Sequence, residues 1–130
     1  MWPHFLHNRN VPRDETYIGE FKAGVKSGSG KEYHTYDESN PELTELKFEG
    51  FWENDQYFGE GILYTKKYTG DSKNFKLKEG TFKDGELDGF GKTYVTHSKD
   101  GVRFVALKYE GQFKKGAFSG KGILYEATHT

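Results

Sequence analysis

Cysteine is absent from the chain, and with it go disulfide scaffolds, thiolate nucleophiles and Cys-ligated zinc or iron–sulfur centres. An excess of either charge is missing too. The 19 Lys and Arg stand against 20 Asp and Glu, giving a net charge of −1. Nucleic-acid binders usually carry a basic surplus, so no nucleic-acid partner is expected. No run approaches the roughly 18 apolar residues that cross a bilayer. The opening MWPHFLHNRNVPRDE has no apolar core of the secretory type, so the expectation is a cytoplasmic protein without a transmembrane segment. Aliphatic residues are scarce: Leu, Ile, Val and Phe together number 27 of 130, and the mean hydropathy is −0.91. A chain so poor in apolar residues would read as disordered if it were strongly charged; the near balance of charge argues for folding. What the chain does hold is 17% aromatic residues and 17 glycines. That pairing suits twisted β-structure with tight turns better than helices, where glycine costs about 1 kcal/mol relative to alanine. The length fits one domain.

Four segments align without a gap: residues 17–33 (YIGEFKAGVKSGSGKEY), 48–64 (FEGFWENDQYFGEGILY), 78–94 (KEGTFKDGELDGFGKTY) and 109–125 (YEGQFKKGAFSGKGILY). Each runs aromatic (Lys78 in the third), any residue, Gly, any residue, aromatic, then a short turn, then Gly-x-Gly and a Tyr three residues later. The first glycines are Gly19, Gly50, Gly80 and Gly111; the paired ones are Gly28/Gly30, Gly59/Gly61, Gly89/Gly91 and Gly120/Gly122. Such recurrence marks a repeat architecture. The alternation of Leu46, Phe48, Gly50 and Trp52, and of Val105, Leu107, Tyr109, Gly111 and Phe113, sets each series on one face of a strand. Turns at KAGVK, ENDQY, KDGEL and KKGAF reverse the chain. Glycines in the returning strand leave room for rings of the neighbouring strand to lie against the backbone. The spacers, with polar tips DESNPE, TGDSKN and SKDG, read as second hairpins. The expectation is an all-β fold: an elongated, curved antiparallel sheet of stacked β-hairpins, about eight strands and about 35 Å long at the usual strand spacing. Residues 1–16 form an N-terminal arm carrying Trp2, Phe5, Leu6 and Val11, and residues 17–130 form the repeat domain.

The four-fold pattern resembles the MORN (membrane occupation and recognition nexus) repeats, which begin Tyr-x-Gly-x-aromatic and continue through a turn to Gly-x-Gly. The resemblance covers residues 17–125. Lys78 departs from it at the leading aromatic of the third repeat. Ser27, Phe58, Asp88 and Ser119 stand where the family often has His, and the 30- to 31-residue period exceeds the family's usual one. The resemblance implies a non-catalytic scaffold within a larger cytoskeletal or ciliary assembly.

No chemistry competes strongly with that reading. The five histidines (His4, His7, His34, His97, His129) show no metal spacing, so neither a metal nor another cofactor is expected. Glu20, Glu32, Glu49, Glu53, Glu60, Glu79 and Glu110 alternate with Lys along strands, as on a solvated face. The Gly-x-Gly pairs lie inside strands rather than between a strand and a helix, where a phosphate-binding loop would need them. An enzyme is therefore not expected. Recognition by surface remains. Rings that appear at a register position in one repeat only are expected to face a partner. Phe51 stands opposite Glu20, Thr81 and Gln112. Phe58 stands opposite Ser27, Asp88 and Ser119, and Phe90 opposite Ser29, Glu60 and Lys121. Trp52 and Tyr57 crowd beside Phe51 and Phe58, and Phe104 and Trp2 complete the expected partner-binding set. The expected partner is a protein, with a peptide or helix in the trough of the sheet. The alternative is a peripheral membrane adaptor whose Lys66-Lys67, Lys114-Lys115 and lysines within 73–78 meet acidic phospholipid.

Overall fold

The computed structural model describes residues 14–35, 44–65 and 75–126. Trp2 and the rest of the arm to residue 13 lie outside the described residues, as do the DESNPE and TGDSKN tips. Eight strands follow in chain order: β1 (Asp14–Lys22), β2 (Val25–Thr35), β3 (Thr44–Glu53), β4 (Gln56–Tyr64), β5 (Lys76–Lys83), β6 (Glu86–Lys99), β7 (Val102–Lys114) and β8 (Ala117–Leu124). They form one open antiparallel meander in which each strand pairs with its neighbours in sequence.

The turns within the repeats close on two residues of positive φ: Ala23 and Gly24, Asn54 and Asp55, Asp84 and Gly85, Lys115 and Gly116. This is the type I′ geometry whose twist matches that of the strands it joins. Asp100 and Gly101 close the long β6–β7 hairpin in the same way, as the SKDG tip predicts.

Register is set by glycine. Within repeats Gly19 faces Gly30, Gly50 faces Gly61, Gly80 faces Gly91 and Gly111 faces Gly122. Between repeats Gly30 faces Gly50, Gly61 faces Gly80 and Gly91 faces Gly111. The floor is bare of side chains because rings fill it. A Cβ on Gly30 would lie 2.5 Å from the Tyr17 ring, and one on Gly61 would fall inside the Phe48 ring. In the third repeat, where Lys78 supplies no ring, Leu87 Cδ2 reaches within 3.0 Å of that position at Gly91.

One side of the sheet is therefore aromatic. Phe48, Trp52, Phe82, Leu87, Tyr109 and Phe113 are buried there, with Tyr17, Tyr57 and Leu63 packed against them. Tyr57 stacks on Phe48 and Phe118 on Tyr109, with centroids 3.7 and 3.9 Å apart. Lys26 takes the equivalent place above Tyr17, 5.3 Å from the ring centroid. Rings also reach across repeats: Tyr17 meets Trp52 edge-on at 4.8 Å and Phe48 meets Phe82 at 5.2 Å. A sheet one layer thick thus buries a core by twisting until rings of successive repeats touch.

The hairpin tips lock the stack. The backbone N–H groups of Asp55, Gly85 and Gly116 donate to the carbonyls of Lys26, Tyr57 and Leu87 of the preceding repeat. The Asp55 carboxylate also accepts from Lys26 N–H at 2.7 Å.

Candidate functional site

Alternation along the strands gives the sheet a second face, opposite the rings. Across it Ile18 pairs with Lys31, Lys31 with Glu49, Glu49 with Ile62, Ile62 with Glu79, Glu79 with Lys92, Lys92 with Glu110 and Glu110 with Ile123. A parallel row runs through Ser29 and Phe51, Glu60 and Thr81, then Phe90 and Gln112. Between these rows the glycine pairs leave an open groove of about 750 Å³, lined by Ile18, Lys31, Phe51, Glu60, Ile62 and Lys92 among others.

Tyrosine hydroxyls hold the glutamates of this face. Tyr64 and Tyr125 donate to Glu49 and Glu110 at 2.6 and 2.5 Å, and Tyr94 donates to Glu79. Burial, with the adjoining carboxylates, pushes the Tyr64 and Tyr94 phenols well above their ordinary range. At the exposed Tyr125 the phenol is also raised, chiefly by the hydrogen bond to Glu110. All three therefore remain donors at neutral pH. In the first repeat Ile18 stands where the others carry Glu49, Glu79 and Glu110, so Tyr33 has no glutamate at that place.

The aromatics nominated from sequence fall into three groups. Phe51 is 47% exposed and lines the groove. Phe58 and Phe90 are exposed to similar degrees, and Phe90 pairs with Gln112 in the same row as Phe51. Phe104 is also exposed, on the long β6–β7 hairpin, with His97 5.4 Å away. Trp52 and Tyr57 lie elsewhere. Trp52 is 3% exposed and belongs to the ring core, at the register where the other repeats place Phe21, Phe82 and Phe113. Tyr57 is stacked on Phe48 and donates to Glu32 at 2.7 Å. Trp52 is thus covered by the core, whereas Tyr57 is half-buried at its margin.

The carboxylates require a correction as well. Glu32 is not on a solvated face: it is 5% exposed, on the aromatic side, within 3.5 Å of Lys26 Nζ and 3.8 Å of Lys47 Nζ. Glu49, Glu79 and Glu110 accept hydroxyl bonds rather than merely facing water. The signal for Glu32 was its register, shared with Leu63, Thr93 and Leu124. Periodicity places it on the ring side of β2.

Among the described residues no helix is long and apolar enough to cross a membrane. Lys66, Lys67 and Lys73 lie outside the described residues, and Lys76 is 3.5 Å from Glu79. Compared with protein-family models, the chain matches the MORN repeat at residues 17–35, 48–70, 79–98 and 109–125, more than half of its length. No curated protein matches it.

Proposed function

The chain belongs to the MORN-repeat family, and from this and the geometry of its groove we propose that it is a non-catalytic scaffold that holds an extended or helical segment of a partner protein against the glycine floor. MORN repeats are modules of protein and membrane interaction, and the family is generally non-catalytic. The observation that carries the reading is Phe51: a large ring, nearly half exposed, set in an open groove at a register where the other repeats carry Glu20, Thr81 and Gln112. Burying such a ring contributes roughly 1.5 to 3 kcal/mol. The Lys31, Glu49, Glu79 and Lys92 that line the groove with it favour a segment with an apolar anchor flanked by both charges, and they set its orientation more than its affinity. Phe58 and Phe90 extend the same reading, and a cytoskeletal or ciliary assembly is the setting we propose.

The test is capture of partners from cell extract by the wild type and by Phe51→Thr, the residue that the third repeat carries at this register. Loss of a specific band with the fold intact by circular dichroism supports the groove. Full retention places the interface elsewhere, and vesicle co-sedimentation that weakens with salt would shift the reading to acidic phospholipid.

A further inference from the structure

The two outer strands of the sheet carry the two halves of one interface that the molecule already builds three times. At each junction between repeats the paired glycines lie opposite one another, flanked by Lys31 facing Glu49, Ile62 facing Glu79 and Lys92 facing Glu110 on one side. Ser29 faces Phe51, Glu60 faces Thr81 and Phe90 faces Gln112 on the other. The N–H of each following turn docks on a carbonyl of the preceding repeat. Among the described residues no strand pairs with the outer edge of β1 or of β8. We propose that β8 of one molecule pairs with β1 of a second copy in this same register, so that the sheet continues head to tail from copy to copy.

Transposing the junction sets Gly122 opposite Gly19 of the next copy, Lys121 opposite Glu20 and Ile123 opposite Ile18. The first pair keeps the bare glycine floor, the second joins opposite charges and the third joins two apolar side chains. Ile18 and Ile123 are 64% and 53% exposed. The apolar residue at 18 stands where the other three repeats have glutamates that bind tyrosine hydroxyls, so the first repeat gives up that bond in favour of a surface matching Ile123. The ring contacts transpose as well. Phe21, 61% exposed, takes the place against Tyr109 that Trp52 holds against Tyr17 and Phe82 against Phe48. The Gly24 N–H meets the Phe118 carbonyl, as Asp55, Gly85 and Gly116 meet theirs. Two different surfaces meet, so the contact is heterologous: it grows into an open filament, or a ring if the rotation closes. An unpaired strand edge with exposed apolar residues is a template for such addition.

The absence of native cysteine makes a clean test possible. Residues facing one another in antiparallel strands have Cα atoms about 4.5 to 5.5 Å apart, within disulfide reach. Single-cysteine variants Ile18→Cys and Ile123→Cys are oxidised separately and as an equimolar mixture, with light scattering on the wild type to follow mass against concentration. The expected result is a mass that rises with concentration, a mixed disulfide forming at least about tenfold faster than either homodimer, and a covalent ladder from the double variant. Lys121→Glu, which borrows the residue of Glu60 at the same register and so keeps the fold, sets like charge against Glu20 and should raise the concentration for half assembly about three- to tenfold. Phe51→Thr should leave assembly unchanged, which separates this interface from the groove. A mass fixed at the monomer, preferential Ile123→Cys homodimers, or indifference to Lys121→Glu would overturn the proposal; so would assembly that requires Phe51.

Discussion

Glu32 shows how one residue departs from its repeat without breaking it. Its register belongs to the ring side of the sheet, and the second and fourth repeats fill it with Leu63 and Leu124. A carboxylate there has to be matched, and Tyr57, Lys26 and Lys47 match it. Removing it alone takes this acceptor from a part-buried hydroxyl and two lysines, so Glu32→Ala should cost about 1 to 3 kcal/mol. This lies below the roughly 3 to 5 of a fully buried pair, because both lysines keep about a quarter of their side chains in water. Glu32→Leu with Tyr57→Phe removes the polar groups together and should return to within about 1 kcal/mol of the wild type. A denaturant-melt double-mutant cycle checks this, and additive losses would show that Glu32 and Tyr57 are not coupled. Gly61→Val is the opposite case. Valine suits strands, yet its Cβ would occupy the space of the Phe48 ring, so the variant should lose at least about 3 kcal/mol or fail to fold. An unchanged melting temperature would remove ring-over-glycine packing as the basis of the core.

Among the elements, the hairpins were the most legible from sequence. Aromatic-x-Gly-x-aromatic followed by Gly-x-Gly fixes strand, turn and register together, because only glycine lets the rings approach. Turn positions also followed from composition, although Ala23 and Lys115 occupy left-handed backbone without the local side-chain bonding that suits Asn and Asp to it. Ala23→Asn and Lys115→Asn should each stabilise by about 0.5 to 1 kcal/mol, a rise of a few degrees in melting temperature; no rise would mean that the tips are not strained. What the pattern could not reveal was which rings a neighbouring repeat covers. Periodicity assigns a side of the strand, but burial depends on how far the sheet twists. That is why Trp52 and Tyr57 read as surface beside Phe51, whose ring points the other way. The tyrosine–glutamate bonds were hidden for a related reason: Glu49, Glu79 and Glu110 lie 15 residues from their donors and meet them only when the strands pair.

Those bonds make stability depend on alkaline pH. The Tyr64 and Tyr94 phenols titrate higher in the folded chain than in the unfolded one. Their contribution is therefore fully present below the ordinary phenol pKa, near 10, and is lost as pH rises from there through the folded values. Melts between pH 8 and 11 should fall more steeply for the wild type than for Tyr64→Phe with Tyr94→Phe. That variant should itself be less stable at pH 7, by about 1.5 kcal/mol for each hydrogen bond to a carboxylate. Parallel pH profiles would show that the hydroxyls do not carry the effect.

For the whole molecule, stability is a chain of nearest-neighbour junctions, since each hairpin touches only the next. The third repeat is the link where this matters most. It has no leading aromatic, and Leu87 serves both as the cover of Gly91 and as the residue whose carbonyl accepts from the Gly116 turn. Truncating Leu87, 1% exposed, should cost about 2 to 5 kcal/mol, and the loss should spread outward rather than stay at the site. Hydrogen exchange on Leu87→Ala should show protection falling through β5, β6, β7 and β8, while β1 to β3 keep most of theirs because Phe48, Trp52 and Tyr17 still pack together. In the wild type, β1 and β8 should exchange first at low concentration, each having one paired edge among the described residues. A uniform loss across all eight strands of the variant would instead mean that the sheet folds as a single cooperative unit, with the repeats contributing register but not independent stability.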